Sequence, residues 1–232
     1  MSAAARAEIL ARLRRGLGRQ DATADDQART VAEVRIRTPT PPLIPTRADL
    51  DLEGRISLFT HMAETVSARV ERLAHYANVA DVVVAHLREH NLPMRLVAAA
   101  DPLLERVPFD RELLAIRTGA AEDGDEVSLT RAFAGIAETG TLMLTSTAAT
   151  PTMLNYLPDD SIVVLPSNRV LRAYEDGWQL LHAEQGSLPR SINFVTGPSR
   201  TGDIEQKILL GAHGPRRLLI LLVDEPAEAS LA

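Results

Sequence analysis

The chain has 232 residues, 45% of them hydrophobic, which is enough for one α/β domain with a sizeable core. A formal net charge of −6 and an aromatic content of 3% exclude the basic, base-stacking surface that nucleic-acid binding requires. Cysteine is absent, which excludes disulfides, thiol nucleophiles and any metal site or iron–sulfur cluster held by thiolates of this chain.

Residues 1–50 are predicted to form a helical extension and a strap ahead of one domain at residues 51–232. The first helix carries an apolar stripe that suits docking on its own domain or on a partner, formed by Ile9, Leu10, Leu13 and Leu17. Residues 19–50 contain four prolines near their end and are predicted to be an extended linker. The first residues lack the apolar core of a signal peptide, and no apolar run approaches the ~20 residues of a membrane span. We therefore expect a cytoplasmic protein.

The main domain begins with a helical pattern from Asp51 to about Asn91, and strands and helices alternate after it. Predicted strands are residues 94–100, 113–118, 141–146, 161–167, 191–196 and 218–223, and predicted helices are residues 130–138, 169–184 and 204–210. This alternation predicts an α/β fold with a mostly parallel sheet that helices cover on both faces.

The segment GPSRTGDIEQKILLGAHGP at residues 197–215 places glycines at both ends of one predicted helix. Gly197 suits a sharp turn after a strand, while Ser199 and Thr201 can cap the first amide groups of the helix. Asp203 lies in the first turn, where a carboxylate opposes the positive end of the helix dipole. A purely structural turn explains these residues without a ligand.

A purely structural turn does not account for Arg200. A cation at the positive end of a helix is locally unfavourable, so Arg200 favours an anionic partner. A loop after a parallel strand also lies where open α/β sheets bind ligands. Backbone amides, two hydroxyls and a guanidinium would together suit a phosphate or a carboxylate. The predicted ligand-binding residues of this segment are Gly197, Ser199, Arg200, Thr201 and Asp203. His213, at the far end of the helix, is either a cap or a proton acceptor.

A second candidate segment is AETGT at residues 137–141, where Gly140 suits a turn between helix and strand. Thr139 and Thr141 offer hydroxyl groups, so Thr139, Gly140 and Thr141 are predicted to line the same ligand site. Glu138 could be a general base, an acyl-accepting nucleophile or only a salt-bridge partner.

Other patterns carry less weight. Gly197 and Gly202 have the spacing of a P-loop, but Asp203 stands where the essential lysine belongs, and GxGxxG is absent. The sequence HLREH at residues 86–90 matches an inverted zincin pattern, but it falls in the last turn of a helix, where histidines favourably meet the dipole. The pair Asp159-Asp160 is typical turn chemistry before a strand. We predict no metal site.

Four segments together resemble the lactate-utilization protein C family, the LUD-domain group, which is also described as YkgG-like. They are AETGTLML (137–144), LPDDSIVVLPSNRV (157–170), TGPSRTGDIEQKILLGAHGP (196–215) and the closing apolar strand. The resemblance covers about residues 50–224, with Gly202 and Ala212 as small departures.

The resemblance implies a fold of the NagB/RpiA/CoA-transferase-like superfamily and a role in oxidising lactate to pyruvate with two iron–sulfur partner proteins. No cofactor is expected in this chain itself, and any bound nucleotide is unknown. The Ser199–Thr201 turn would hold the carboxylate of lactate or a phosphate-bearing cofactor, with Glu138 and His213 as catalytic candidates. Two alternatives stay open. One is a stand-alone enzyme on phosphosugars, folates or CoA thioesters that reacts through Glu138. The other is a non-catalytic scaffold for the cluster-bearing subunits.

Overall fold

The computed structural model describes residues 2–18, 22–38, 43–204, 207–210 and 214–225, with only the backbone described at 3, 22–25, 201–204 and 207–210. The chain divides into two units, Met1–Leu43 and Ile44–Ala232. In the second unit Ala48 is fully buried within the 3₁₀ turn Thr46–Ala48.

The first unit contains two helices, α1 (Ala3–Gly16) and α2 (Ala22–Arg37). Ser2 caps α1 by accepting a hydrogen bond from the amide of Ala5 at 3.2 Å. The prediction of an extended linker was wrong for α2, because its sixteen residues contain neither proline nor glycine and favour a helix.

The second unit combines helices and strands in the following order. They are α3 (Leu52–Thr65), β1 (Arg69–Leu73), α4 (Val79–Glu89), β2 (Arg95–Ala98), α5 (Pro102–Glu105), β3 (Ala115–Thr118), β4 (Val127–Arg131), β5 (Ala134–Ile136), β6 (Thr141–Thr145), β7 (Asp160–Pro166), β8 (Val170–Leu171), α6 (Tyr174–Glu184), β9 (Ile192–Val195), β10 (Arg200–Ile204), β11 (Lys207–Leu210) and β12 (Arg217–Val223).

Six strands form a central sheet in the order β1-β12-β7-β4-β2-β3, and every neighbouring pair is parallel. Strands β7 and β12 each have a neighbour on both sides and are buried almost throughout, as expected for strands covered on both faces. The predicted α/β class with a mostly parallel sheet is therefore confirmed.

The two faces of the central sheet are covered differently. Side chains of α4 and α5 pack on one face, where Val83 and Leu87 join the core around Leu129 and Leu221. On the other face α3 contributes Phe59 and packs together with a second sheet of four strands, ordered β8-β5-β6-β9. Helix α6 covers the far side of that second sheet through Leu181.

The second sheet corrects the interpretation of two segments. Residues 130–138 were predicted to be a helix, but they contain the end of β4 and the short strand β5. An added Cβ on Gly135 would lie 2.7 Å from Cδ2 of Leu165 and 2.9 Å from Cε2 of Phe59, so β5 packs too closely for a larger residue. Strands β6 and β9 were predicted correctly, but they belong to this second sheet rather than to the parallel one.

Two further predictions of helix were wrong. Residues 204–210 belong to β10 and β11, which pair antiparallel with Arg200 opposite Leu210 and Thr201 opposite Leu209. Helix propensity is a weak preference that strand pairing overrides. The helical stretch predicted at residues 51–91 also contains β1, an edge strand of exposed and half-buried residues whose charged sequence shows no apolar run. Within the described residues, no helix has the length and apolar character needed to span a bilayer.

Candidate functional site

Two of the predicted segments meet at the C-terminal end of α3. Gly140 closes the hairpin between β5 and β6 with a φ of +64°, and an added Cβ would lie 2.6 Å from the carbonyl carbon of Met62. Gly197 has a φ of +77°, and an added Cβ would lie 2.6 Å from the carbonyl oxygen of Val66. Both glycines therefore adopt a left-handed turn and also allow the backbone to approach α3 closely, which a side chain would prevent. Gly140 lies in a β-hairpin, not in the predicted helix-to-strand turn.

A cluster of four hydroxyl groups lies between these glycines, formed by Thr139, Thr141, Tyr174 and Thr196. Thr141 Oγ1 is 2.7 Å from Oγ1 of Thr139, 2.7 Å from Oγ1 of Thr196 and 3.0 Å from the phenol of Tyr174. The Tyr174 phenol is also 3.0 Å from Thr139. Four hydroxyls supply four protons, and these four contacts can use all of them. A ligand that accepts a hydrogen bond here must therefore take a proton from one of the internal contacts.

The antiparallel pairing of β6 with β9 brings Thr141 and Thr196 together, because it sets Leu142 opposite Val195. The sequence indicated Thr139 and Thr141 but not Tyr174 or Thr196. Tyr174 begins α6, and its ring meets that of Phe194 edge to face at 5.2 Å between centroids.

Glu138 lies in the hairpin loop with 12% of its side chain exposed, and its Oε1 accepts a hydrogen bond from Nη2 of Arg47 at 3.3 Å. Its backbone amide donates to the carbonyl of Arg172 at 3.2 Å. The salt-bridge role that the sequence left open for Glu138 is therefore present in the structure. A catalytic role stays a prediction.

Arg200 is exposed and anchored to the end of α3. Its Nη2 donates to the carbonyl oxygen of Val66 at 3.0 Å and also to the hydroxyl of Ser67. Such a cation at a helix C-terminus is favourable, since the last carbonyls carry the negative end of the dipole. Within the described part of the chain, no carboxylate pairs with Arg200, and its Nε and Nη1 groups have no hydrogen-bond partner.

The surroundings of Arg200 differ from the prediction in two respects. Arg200 begins a strand rather than preceding a helix, so no helix N-terminus at Ser199 or Thr201 supports an anion. The loop also follows a strand of the second sheet and not a strand of the parallel sheet. The amide of Ser199 is already used, since it donates to the carbonyl of Pro215 at 2.8 Å. Thr201 and Asp203 lie in β10 with only their backbone described, and His213 lies outside the described residues.

The histidines of HLREH lie at the amino-terminal edge of the central sheet. His86 is buried, and its Nε2 lies 3.1 Å from Oδ1 of the fully buried Asp160. Arg217 donates to both carboxylate oxygens of Asp160, with its Nε 2.7 Å from Oδ1. Burial alone would raise the pKa of Asp160, but hydrogen bonds from His86 and Arg217 lower it below the ordinary value of an aspartate.

Asp160 was interpreted as turn chemistry, yet it begins a buried strand and holds this cluster together. Glu89 of the same motif instead pairs with Arg69 at 2.6 Å. Within the described ranges, no group of three or more histidine or acidic side chains is arranged to hold a metal ion.

The opposite, carboxyl-terminal edge of the central sheet carries residues that the sequence analysis did not select. Asp101 is buried after the end of β2, where its Oδ1 accepts the amide of Leu103 at 2.9 Å. Its Oδ2 accepts Nε of Arg131, the last residue of β4, at 2.8 Å. The Asp-Pro start of α5 is a helix-capping signal, and it is the one feature of the sequence that points to Asp101.

Tyr76 lies at the same edge, in the 3₁₀ turn that follows β1, and is only 1% exposed. Its phenol oxygen has no hydrogen-bond partner among the described residues. Its amide donates to Oε2 of Glu225 at 3.0 Å, and the guanidinium of Arg106 lies 4.6 Å from its ring centroid. Burial raises the pKa of Tyr76 to about 12, so the phenol stays protonated and can donate a hydrogen bond.

Curated relatives match this chain over part of its length. A lactate utilization protein C of Geobacillus kaustophilus is 33% identical over 93 residues, which cover 39% of each chain. Lactate utilization protein C 1 of Bacillus mycoides is 31% identical over 93 residues, covering 39% of this chain and 40% of its own. An uncharacterized protein of Neisseria meningitidis serogroup B is 31% identical over 126 residues, or 54% of each chain. The matches thus span about half, or less, of these relatives.

A solved structure supports the fold. The crystal structure of a DUF162 family protein from Deinococcus radiodurans superposes with a TM-score of 0.55 at 20% identity, covering 75% of this chain and 99% of its own. The model of the LUD domain matches residues 56–223, which include the α3 end, the hydroxyl cluster and both edges of the parallel sheet. On this match the chain belongs to the LUD domain family.

Proposed function

We propose that this protein takes part in lactate utilization and binds a small anion, such as the carboxylate of lactate, beside Arg200. Relatives from Geobacillus and Bacillus that carry the name lactate utilization protein C support the metabolic role. The proposed ligand position depends on one observation. Arg200 is held at the end of α3 by neutral acceptors, and its Nε and Nη1 donors are unpartnered within the described residues.

The neighbouring hydroxyl cluster suits the second group of a 2-hydroxy acid. Gly197 connects Thr196 to the Arg200 loop and abuts the Val66 carbonyl that also accepts from Arg200, so the cluster and the guanidinium flank the same helix end. A guanidinium binds a carboxylate through two parallel hydrogen bonds, and the threonine and tyrosine hydroxyls can exchange contacts with an alcohol.

Oxidation of lactate to pyruvate removes two electrons and two protons, and we infer that separate iron–sulfur proteins receive the electrons. The chain has no cysteine, so clusters held by thiolates belong to other chains. In this proposal Glu138 and His213 are the candidates to accept a proton.

Reconstitution tests the proposal. The full chain is combined with its iron–sulfur partners, and lactate-dependent reduction of a dye is measured with and without it. We expect activity to require this chain, and Arg200→Ala to raise the KM for lactate by roughly tenfold or more through loss of a charge-assisted contact. Arg88→Ala, which removes an exposed arginine of α4, is the matched control. Full activity without the chain would contradict the role, and an unchanged KM in Arg200→Ala would contradict the site.

The first unit favours a second candidate, a scaffold for those partners. Helix α1 and the residue that follows it expose large apolar side chains, among them Leu13 at 55% and Leu17 at 67%. Neighbouring exposed leucines are typical of a protein-docking face. If the chain is a scaffold, the double change Leu13→Gln and Leu17→Gln abolishes co-purification with the iron–sulfur proteins, while Arg200→Ala leaves dye reduction intact. If it is the lactate-binding subunit, Arg200→Ala impairs dye reduction in an assembly that still forms.

A further inference from the structure

We propose that a cavity at one end of the second sheet binds an organic anion, with Arg190 contacting its phosphate or carboxylate group and Met153 packing on its apolar part. The cavity lies between the loop at residues 146–153, which follows β6, and residues 190–191, which precede β9. The hydroxyl cluster lies at the other end of the same two strands. This site is therefore separate from Arg200, and it stands or falls independently of the lactate role.

Hydrogen bonds between the two segments hold the walls of this cavity in place. The amide of Ser191 donates to Oγ of Ser146 at 2.8 Å, and the amide of Ser146 donates to the carbonyl of Ser191 at 3.0 Å. The hydroxyl of Thr152 lies 2.8 Å from that of Ser191. The carbonyl of Ala149 accepts the amide of Ala100, which follows β2, so the loop is also fixed to the carboxyl-terminal edge of the parallel sheet. Open α/β sheets bind ligands at that edge, in cavities that are usually formed before the ligand arrives.

Arg190 is the cation of this cavity, and the protein does not use its guanidinium. The side chain is exposed, and no hydrogen bond or ion pair joins it to any of the described residues. The hydroxyls of Thr152 and Ser191 add a further donor. They supply two protons and make one mutual contact, so within the described chain one O–H group stays available to an acceptor. A guanidinium and a hydroxyl together suit the oxygens of a phosphate or a carboxylate.

The charge of the cavity wall favours an anion. Among the described lining residues, Arg190 is the one charged side chain, so no acid in the wall competes for the guanidinium. At the sheet edge beyond Ala100, three carboxylates and three guanidiniums offset one another: Asp101, Glu105 and Glu225 with Arg106, Arg111 and Arg131. The positive charge of Arg190 is therefore not cancelled by that edge.

A cavity beside α4 shows why an arginine in a wall is not sufficient. It has a volume of about 360 Å³ and includes Arg88 and Leu113, but Asp81 and Asp110 also line it. Its two carboxylates outnumber the guanidinium, which disfavours an anion. The two cavities are therefore expected to respond differently to the same ligand, and the cavity beside α4 supplies matched controls.

The size and the apolar part of the wall indicate a ligand with an organic body. The cavity has a volume of about 670 Å³, within the range of about 300–1,000 Å³ that is typical of ligand pockets, and larger than lactate requires. Ala148, Pro151 and Met153 form its apolar wall, and Met153 is 48% exposed. A methionine side chain adapts to apolar groups of varied shape. An aromatic or aliphatic group attached to a phosphate or a carboxylate would therefore satisfy both the guanidinium and this wall.

Titration of the full chain tests the site. Backbone amide NMR shifts are followed with 1-naphthyl phosphate and 1-naphthoate, and in parallel with the neutral 1-naphthalenemethanol and with inorganic phosphate at equal ionic strength. We expect both aromatic anions to shift amides within residues 146–153 and 190–191, with an affinity at least about tenfold higher than that of the neutral alcohol or of inorganic phosphate. The comparison of the two anions identifies the preferred head group.

Two substitutions separate the charge from the apolar contact. Arg190→Gln should weaken the binding of both aromatic anions by roughly tenfold, since it removes a charge-assisted contact with the ligand and none within the described protein. Met153→Gln should weaken binding by about threefold through loss of apolar contact. Arg88→Gln and Leu113→Gln, in the cavity beside α4, are the matched controls and should leave the affinity unchanged.

Each outcome decides the proposal. The absence of shifts at residues 146–153, or an unchanged affinity in Arg190→Gln, would overturn it. Equal affinity for the neutral alcohol would overturn the role of the cation, and equal affinity for inorganic phosphate would overturn the role of the apolar wall. Shifts that persist in Arg200→Ala support a site distinct from the one beside Arg200. Their loss in Arg200→Ala, with Arg190→Gln unaffected, would assign all binding to the Arg200 loop.

Discussion

The central sheet holds a buried aspartate bound to an arginine at each of its two edges, and the two pairs differ in how much of the arginine is used. At the amino-terminal edge, Asp160 begins β7 and Arg217 begins β12 beside it. Arg217 donates to both oxygens of Asp160, and His86 adds a third contact. At the carboxyl-terminal edge, Oδ1 of Asp101 caps α5 by accepting the amide of Leu103. Its Oδ2 accepts only Nε of Arg131.

The two pairs differ in how much of each guanidinium the protein itself uses. Where both ends of the arginine fork meet the same carboxylate, the pair is satisfied within the protein and joins two strands. Where the aspartate accepts only Nε, it fixes the orientation of the guanidinium and leaves the terminal amino groups for another oxygen. The amino-terminal pair is thus a structural clamp, and the carboxyl-terminal pair uses only one nitrogen of its arginine among the described residues.

The largest effect is expected when the clamp loses its acid. Asp160→Asn removes the fully buried anion that His86 and Arg217 share. Arg217, whose side chain is 39% exposed, can be partly solvated. The free energy of unfolding should therefore fall by about 2–3 kcal/mol for the lost charge-assisted hydrogen bonds. Urea denaturation measures this. The neighbouring Asp159→Asn, which breaks an exposed pair with Arg216 at 3.5 Å, is the control and should cost less than about 1 kcal/mol. Equal losses would contradict the assignment of Asp160 as a clamp.

Acid should weaken the same clamp. The pKa of Asp160 is lower in the folded protein than in the unfolded chain, where an aspartate has a pKa of about 3.9. The carboxylate therefore contributes its stabilisation fully above that unfolded pKa and loses it as the pH falls through the folded value. We expect the difference in unfolding free energy between the parent and Asp160→Asn to shrink below about pH 4. A difference that stays constant down to acid unfolding would show that Asp160 is not the titrating group.

The carboxyl-terminal pair should be less costly to break. Asp101→Asn keeps a side-chain oxygen that can still cap α5, and the partly exposed Arg131 can be solvated once its partner is neutral. The expected loss is about 1–2 kcal/mol, for a single charge-assisted hydrogen bond. Denaturation under the conditions used for Asp160→Asn gives the comparison. A loss as large as that of Asp160→Asn would mean that both edges are structural clamps.

The smallest expected effect separates the two arginines themselves. Arg217→Lys loses a two-pronged contact and should cost about 1 kcal/mol, whereas Arg131→Lys can keep its one contact with Asp101 and should cost less than about 0.5 kcal/mol. Paired urea midpoints of the two variants test this order. The reverse order would show that the fork of Arg131 is used within the protein.

Apolar patterning predicted most of the parallel sheet from the sequence. Strands such as β7 and β12 are continuous apolar runs because they are covered on both faces. The same reasoning missed β1, whose edge position leaves charged residues exposed, and β5, which has only three residues. It also missed β4, whose buried residues include the polar Ser128 and Thr130 and so form no apolar run. It also interpreted residues 204–210 as a helix, although β10 and β11 pair there. Short or exposed strands are defined by their partners, which local sequence does not contain.

The candidate sites divide in the same way. Thr139, Thr141 and Arg200 were recognisable by residue type within unusual segments. Their partners were not recognisable, since Thr196 meets Thr141 only through the register of β6 and β9, and Arg200 meets α3 from 133 residues away.

By itself the amino-acid sequence determined the fold class, the family and the residue types able to bind an anion, because burial pattern and chemical type are properties of local sequence. Only the tertiary structure decided which donors stay unpaired. Asp101 and Arg131 are 30 residues apart and meet because β2 and β4 lie side by side in the parallel sheet. The number of guanidinium nitrogens that find a carboxylate oxygen depends on distances between strands. Those distances arise only when the sheet is assembled.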